Sequence, residues 1–539
     1  MRRYQSILFI LLSSCLLSSC LDENPKGQMD EDEAYSTATN LYINAVATLY
    51  NYIGGSSDSQ GLQGTYRGVY DYNTFTTDEA IIPTRGGDWY DGGFWQNLYL
   101  HRWTADDDAL YDTWCYLYKA VTLCNRSLSV IASHSSLLTE AQQTSYLSEV
   151  RAIRALFYYE LLDMFANVPL YTDYSKNVTA VKPSARSKVY RFVVGELQAV
   201  APNLPNERSN MEGAYYGRIT RPVAYFLLAR LALNAEVYAD DDWTDSTRPD
   251  GSQIFFTVDG DRLNAWQTCE RYVDKLTAFG YQLEDDYATN FRVHNEVSKE
   301  NIFCIPCDKN LYQNIFKNLF RSRHYNHGSA LGMDSENGSS GTLSTVRAYG
   351  YGTDSVDTRW AINFFSDTVK VDGNVVHLDN GEPLLYRPLV MAVDLTGNTY
   401  EKTAGARMWK YEIDRTAYSD GQLQDNDIVL FRYADALLMK AEAKVRNGED
   451  GSDDLNAVRR RVGMPDRKAT LDNILTERLL ELMWEGCRRP DLVRFGRFTQ
   501  AYDIRPQVSG EQSGYTTVFP IPTKALSLNG NLKQNPGYK

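Results

Sequence analysis

A recurring helical pattern between residues 105 and 280 constrains the fold of this chain more than any other feature of its sequence. In residues 144–165, apolar residues recur every three or four positions, which places an apolar stripe along one side of a helix. In residues 223–233, apolar residues surround the helix almost completely, so this segment is expected to lie between other helices. Such segments predict packed layers of helices.

The helices form pairs of about 35–45 residues, with small residues where two helices must approach each other. Examples of these small residues are Ala155, Ala229 and Ala441. This pattern is typical of tetratricopeptide-like (TPR-like) superhelices, although the classical consensus is not met. The predicted fold is therefore mainly α, with helices at about 33–52, 106–130, 144–165, 186–200, 221–238, 265–279, 427–447, 453–462 and 473–484.

The remaining segments are irregular and rich in Gly, Ser, Asp and aromatic residues. Short apolar runs at 301–307 and 384–388 are predicted as strands. We expect a helical scaffold at about 105–280 and 427–497 within a domain that spans residues 41–539. The predicted loop-rich ligand lobe comprises residues 53–104, 283–426 and 498–539.

The N-terminus has the pattern of a secretory signal peptide. Arg2 and Arg3 precede an apolar run at 7–17, which is shorter than the roughly 20 residues that cross a membrane. The small residues before Cys20 resemble a bacterial lipobox, in which the cysteine is acylated. We therefore predict a signal peptide at 1–19 and a lipidated tether at 20–40 that holds the protein on a membrane surface. An ordinary secretory signal with an incidental cysteine is the alternative.

Overall charge limits the class of partner. The formal charge of −14 repels phosphate backbones, which argues against nucleic acid as a ligand. The sequence also contains no lipase-type nucleophile elbow, P-loop or zincin motif.

Cysteine and histidine pairs do not predict a metal site or a cofactor. Cys304 and Cys307 have CxxC spacing, but no second CxxC and no nearby histidine completes a zinc site. They are interpreted as core cysteines, with a local disulfide, redox chemistry or metal binding as alternatives. His324 and His327 lack a carboxylate cluster at suitable spacing. The sequence therefore predicts neither a cofactor nor a metal.

Five segments follow one another along the chain: RAIRALFYYELLDMFANVPL at 151–170, GRIT at 217–220, RYADALLMKAEA at 432–443, EGCRRPDLVRFG at 485–496 and QNPGY at 534–538. Together they resemble the SusD/RagB family of nutrient-binding outer-membrane lipoproteins. The resemblance implies TPR-like helix pairs that support an irregular ligand lobe. It also implies a protein without catalytic activity that captures a glycan (a peptide in some members) at the cell surface and delivers it to a SusC-like TonB-dependent transporter.

A loop at 77–95 has the composition expected of a sugar site. Sugar rings stack their C–H faces on aromatic rings, while their hydroxyl groups need polar partners beside those rings. By the resemblance, this loop matches the TDE…W region that the family places at its binding face. Packing of these aromatic residues against the scaffold is the alternative, above all for Trp95. The predicted ligand-binding residues are Arg85, Asp88, Trp89, Tyr90 and Trp95.

A second group of predicted ligand-binding residues comprises Tyr325, Asn337 and Tyr351. Tyr325 lies where the starch-binding member of the family has a stacking tyrosine. Many members have a tryptophan after an Asn-Gly pair such as 337–338, whereas this chain has Ser339. This departure indicates a ligand that differs from starch.

Two alternative functions remain open at this point. A TPR-like envelope protein would bind peptides or another protein. A glycoside hydrolase would need two carboxylates about 5–10 Å apart, for which the loop offers Asp78, Glu79, Asp88 and Asp91. Charged residues near the C-terminus are interpreted instead as structural ion pairs, namely Glu485, Arg488, Asp491 and Arg494.

Overall fold

The computed structural model describes residues 34–55, 60–63, 67–245, 247–311, 314 and 321–538. Cys20 lies outside these residues, together with the predicted signal peptide and most of the predicted tether. Lipid attachment at Cys20 therefore stays a prediction.

Long helices that pack side by side form the scaffold, as the apolar pattern predicts. In the first half of the chain, α5 packs on α6, α6 on α7, and α8 on α10. The helices are α1 (Ala38–Ala45), α2 (Asn51–Gly54), α3 (Val69–Thr74), α4 (Phe94–Tyr99), α5 (Asp108–Ser133), α6 (Glu140–Phe165), α7 (Arg186–Val200), α8 (Arg221–Leu233), α9 (Ala235–Tyr238) and α10 (Ala265–Ala278).

Local hydrogen bonds explain where the predicted and observed helix ends differ. Helix α6 begins four residues before the prediction, because Thr139 and Gln142 form a capping box at its start. The predicted helix at 221–238 is interrupted at Asn234, which separates α8 from α9. The predicted helix at 33–52 is likewise divided, with a 3₁₀ turn at Ala47–Tyr50 between α1 and α2.

Short helices and short strands connect the longer helices. The short helices within residues 321–426 are α11 (Tyr325–Leu331), α12 (Leu343–Ala348) and α13 (Trp360–Asn363). The strands, which pair two by two, are β1 (Ala80–Ile81), β2 (Val168–Pro169), β3 (Pro183–Ser184), β4 (Phe255–Val258), β5 (Asp261–Asn264), β6 (Asn301–Ile305), β7 (Ser340–Gly341), β8 (Phe364–Phe365), β9 (Asp367–Thr368), β10 (Lys370–Val371), β11 (Asn374–Val375), β12 (Leu385–Tyr386), β13 (Arg407–Met408) and β14 (Ile428–Arg432).

Strand β14 corrects the predicted helix at 427–447. It pairs antiparallel with β6, with Ile428 opposite Ile305, and all of its residues are buried. A run of large and β-branched residues favours such a fully buried strand over a helix. The helix begins only afterwards, and the C-terminal helices are α14 (Tyr433–Arg446), α15 (Ser452–Arg461), α16 (Leu471–Leu482), α17 (Arg488–Arg494) and α18 (Thr523–Leu528).

Buried ion pairs join these C-terminal elements, as predicted for the charged residues near the C-terminus. Arg432 is within 2.8 Å of carboxylate oxygens of Glu300, Glu481 and Glu485. Arg488 pairs with Asp78 at 2.7 Å and so connects α17 to the segment before β1. The interpretation of this set as structural ion pairs is confirmed.

Cys304 and Cys307 are both buried and free of disulfides. No cluster of histidine, cysteine and acidic residues suited to a metal ion occurs in the described part of the chain. Among the same residues, no helix has the length and apolarity needed to cross a membrane.

Candidate functional site

Strand pairing brings the two predicted site segments together. Strand β1 pairs with β7, with Ala80 opposite Gly341, so the loop after β1 lies beside the residues before β7. Arg85 joins the two segments with hydrogen bonds from Nε to the Gly338 carbonyl (3.2 Å) and from Nη2 to Ser340 Oγ (2.8 Å). Its Nη1 donates to the Glu401 carbonyl at 2.9 Å.

Trp89 packs against the backbone of the second segment. Its indole nitrogen donates to the Glu336 carbonyl at 2.7 Å. A Cβ atom on Gly338 would lie only 2.6 Å from the Trp89 ring, so this contact requires glycine. Both Trp89 and Asn337 have positive φ values, 63° and 54°, which are unusual for residues with a side chain. The half-buried Trp89 is thus held in place by the segment that Asn337 belongs to.

Three predicted ligand contacts are corrected by the structure. Arg85, Trp95 and Asn337 each expose 0% of their surface, so they have no face to offer a ligand. Trp95 packs edge-on against Phe75 and donates its indole N–H to Asp91 Oδ2 at 2.9 Å. The packing alternative therefore holds for Trp95, and all three residues support the site from beneath.

Asp88, Tyr325 and Lys402 form an accessible polar and aromatic cluster. Asp88 Oδ2 accepts hydrogen bonds from the Tyr325 hydroxyl (2.8 Å) and from Lys402 Nζ (2.6 Å). Partial burial raises the pKa of Asp88, but the hydrogen bonds from Lys402 and Tyr325 outweigh it and hold the pKa below its usual value. Tyr325 is 42% exposed and Tyr90 61% exposed. The cluster therefore presents the Tyr325 ring beside an ionised carboxylate, and the exposed Tyr90 follows Asp88 by two positions in the chain.

A groove of about 660 Å³ extends from Tyr325 along α11. Its opposite wall is the hairpin of β10 and β11, which carries Asp372, followed by Asp379. Asn326 of α11 crosses the groove to donate to Asp379 Oδ1 at 2.9 Å. Concave, polar and open, this groove suits a ligand with many hydroxyl groups.

The histidines near the groove serve the fold. His324 Nδ1 accepts the backbone N–H of Asn326 and caps α11, while His327 contacts the buried Tyr386 hydroxyl at 3.0 Å. Burial, followed by nearby arginine charges, lowers the pKa of His324 to about 4 and that of His327 to about 3. Both imidazoles are therefore neutral near pH 7.

Tyr351 makes contacts with residues outside the Asp88 cluster. Its ring packs on Trp360 at a centroid distance of 4.8 Å, and its hydroxyl donates to Asp367 Oδ1 at 2.6 Å. No contact among the described residues therefore links Tyr351 to the other predicted site residues.

The carboxylates considered for a hydrolase are engaged in separate contacts. Asp78 pairs with Arg488 and Asp91 pairs with Arg67. Glu79 is buried, and its burial raises the pKa of this carboxyl to about 8. Asp88 forms its ion pair with Lys402, so the four carboxylates have separate partners and do not face one another as a pair in any contact among the described residues.

Sequence reasoning missed Lys402 as part of the site. Lys402 Nζ donates both to Asp88 and to the Arg85 carbonyl (2.8 Å), although more than 300 residues separate them along the chain. No local pattern around residue 402 marks this role, because only the tertiary fold brings the two loops together.

Two family models match consecutive parts of the chain. The model described as "Starch-binding associating with outer membrane" matches residues 22–233, and the "SusD family" model matches residues 389–538. Together they cover more than half of the chain.

Curated and solved proteins resemble the chain over nearly its whole length. The starch-binding protein SusD of Bacteroides thetaiotaomicron is 23% identical, with 99% of this chain and 98% of SusD covered. A solved SusD homologue from the same organism has a TM-score of 0.71 at 20% identity, covering 95% of this chain and 99% of the other.

Surface glycan-binding protein A of B. thetaiotaomicron, solved in complex with laminarihexaose, has a TM-score of 0.68 at 21% identity. The match covers 93% of this chain and 99% of the chain of surface glycan-binding protein A. The structural likenesses confirm the predicted TPR-like helical fold. The names of SusD and of surface glycan-binding protein A describe binding proteins rather than enzymes. The matching models, the fold and the ordered motifs lead to one conclusion: the chain belongs to the SusD/RagB family.

Proposed function

We propose that this protein is a lipid-anchored glycan-binding protein of the outer-membrane surface. It captures an oligosaccharide or polysaccharide without cleaving it and delivers it to a SusC-like TonB-dependent transporter. The observation that carries the proposal is the exposed Tyr325 ring, which is hydrogen-bonded to Asp88 and lies at the end of a polar groove. The starch- and laminarihexaose-binding relatives support a glycan as the ligand class.

The cluster is prepared for binding before any ligand arrives. The hydrogen bond from Tyr325 to Asp88 fixes the tyrosine ring, whose exposed face is then free to stack on a sugar ring. Less conformational entropy is lost on binding when a contact side chain is already ordered. Asp88 and Lys402 can exchange hydrogen bonds with sugar hydroxyl groups at the edge of that ring.

Calorimetry against a panel of neutral and charged glycans, starch and laminarin included, tests the proposal. We expect at least one glycan to bind and Tyr325→Ala to weaken its binding about tenfold through loss of stacking. Tyr174→Ala, at a tyrosine 48% exposed in the scaffold, is the matched control and should bind normally.

Binding to no glycan would contradict the proposal. Oligopeptides that copurify with the protein would favour the peptide-binding alternative. Purification from outer membranes is expected to recover a TonB-dependent β-barrel, and repeated failure to do so would contradict the delivery step.

A further inference from the structure

A second cavity lies on the helical scaffold, and it shares no described lining residue with the groove beside Tyr325. Its volume is about 460 Å³, within the range of about 300–1,000 Å³ that is typical of small-molecule pockets. Its walls come from the residues that follow α9, from the end of α17 and from the 3₁₀ turn Glu511–Ser513. A ligand in this cavity would therefore be bound by residues other than those of the Asp88 cluster.

Asp240 brings unused hydrogen-bonding capacity to this cavity. Only 6% of the residue is exposed, and its Oδ1 accepts the backbone N–H of Asp242 at 2.9 Å. Its Oδ2 has neither a hydrogen-bond donor nor an ion-pair partner among the described residues, and it is not enclosed by protein atoms. A nearly buried carboxylate oxygen gains free energy from a hydrogen-bond donor. Asp240 can therefore accept a hydrogen bond from a ligand in the cavity.

Close contacts hold the walls of the cavity in place. Arg248 donates to the carbonyls of the last two residues of α17, at 2.7 and 3.0 Å. A Cβ atom on Gly514 would lie only 2.5 Å from the Trp243 carbonyl oxygen, so these two backbone segments are in direct contact. The guanidinium group of Arg186 lies 5.7 Å from the centre of the Trp243 ring and supports it from α7. Ordered walls reduce the entropy that is lost when a ligand binds.

The charges that line the cavity favour a ligand without net charge. Asp240 and Arg248 contribute one charge of each sign. Arg494 also lines the cavity, but its guanidinium group is paired with Glu442 at 2.7 Å and with Asp491 at 2.8 Å. Neither an anion nor a cation therefore finds an excess of opposite charge among the lining residues that the structure describes.

The uncharged lining combines apolar rings with hydroxyl and amide groups. Trp243 and the half-buried Phe495 supply aromatic surface. Sugars need such a combination, because their C–H faces pack on aromatic rings while their hydroxyl groups bond to polar neighbours. The polar uncharged side chains are those of Thr247, Thr499, Gln512, Ser513 and Thr517.

We infer that this scaffold cavity is a second binding site, for a neutral saccharide of one or two sugar units. Asp240 Oδ2 accepts a hydrogen bond from a sugar hydroxyl group, and Trp243 and Phe495 pack against the ring. The inference goes beyond the proposed function, because it concerns a separate site that stands or falls independently of Tyr325.

Saturation-transfer NMR and calorimetry with glucose, galactose, maltose and laminaribiose test the inference. We expect at least one of these sugars to bind with a Kd of about 1 mM or below. Asp240→Asn should weaken this binding about tenfold, because a neutral amide replaces the charged acceptor while its oxygen can keep the bond to Asp242. Gln512→Trp should abolish it, since Gln512 is exposed and its enlarged side chain would fill the cavity.

Two control variants separate this site from its surroundings. Asp250 accepts the backbone N–H of Ser252 at 2.8 Å in the same local turn, but it is exposed and does not line the cavity. Asp250→Asn should therefore bind the sugar normally. Tyr325→Ala should also leave this binding unchanged, because Tyr325 belongs to the other site.

Three outcomes would overturn the inference: none of the four sugars binds, binding is unchanged in both Asp240→Asn and Gln512→Trp, or binding is lost in Tyr325→Ala. The proposed function would survive the first two outcomes, because it is tested by glycan binding at Tyr325. Thermal unfolding shows whether each variant folds. If Asp240→Asn does not fold, Gln512→Trp decides, since it changes an exposed residue.

Discussion

The position of the Trp89 side chain depends on its contact with Gly338, which has no side chain. Its ring fills the space beside Gly338, and its indole N–H reaches the Glu336 carbonyl. Asp88, the residue before it, then points to Tyr325 and Lys402. The position of the binding cluster therefore depends on close backbone contact as much as on the residues that face the groove.

A methyl group at position 338 tests this dependence. Gly338→Ala should push the Trp89 ring aside and destabilise the protein by about 1–3 kcal/mol, because the added Cβ would lie 2.6 Å from the ring. Glycan affinity should fall together with the melting temperature, measured by calorimetry and by thermal unfolding. Gly87→Ala is the control, since nothing lies within 4 Å of its added Cβ. Equal behaviour of the two variants would show that the contact is unimportant.

At the scale of elements, the sequence predicts the helices well and the short strands poorly. Residues 186–200 form a helix with the predicted ends, because their periodicity is strong and local. The run at 428–432 was predicted as helix and is a strand, because pairing with Asn301–Ile305 overrides the local pattern. The same difference is found at the site. Composition predicts the loop at 77–95, whereas the position of Lys402 depends on hydrogen bonds between distant segments.

The ion pairs of β14 provide a prediction at this scale. Arg432→Met removes the cation shared by Glu300, Glu481 and Glu485, and leaves buried carboxylates with too little compensation. We expect a loss of about 3–5 kcal/mol in unfolding free energy, measured by urea denaturation.

Arg460→Met serves as the matched control, because Arg460 and Asp466 form an exposed pair whose side chains are 58% and 51% exposed. It should leave the urea midpoint unchanged. A similar midpoint for both variants would argue against a stabilising role for the buried network.

On the scale of the whole molecule, segments of the scaffold alternate along the chain with segments of the loop-rich part. The ion pair between Arg488 and Asp78 joins the penultimate helix to the segment before β1. Trp103 donates its indole N–H to the Tyr538 hydroxyl and so connects the N-terminal half to the end of the chain. Neither part is a separate stretch of sequence, and the tether at 20–40 is predicted to hold both at the membrane.

Cys20→Ser tests the predicted tether. Loss of the acylated thiol should move the protein from the membrane fraction to the soluble fraction, because the predicted acyl chains hold it on the membrane. Fractionation of cells followed by immunoblotting measures the distribution. Cys15→Ser, in the same N-terminal segment, should leave the protein in the membrane fraction. Retention of Cys20→Ser there would contradict lipid anchoring at this residue.

The hydrogen bonds of Arg85 to residues 338, 340 and 401 have a consequence for biosynthesis. An unfinished polypeptide that has emerged only as far as residue 300 lacks every acceptor that orders this arginine. The cluster that we propose to bind a glycan can therefore form only after translation has passed residue 402.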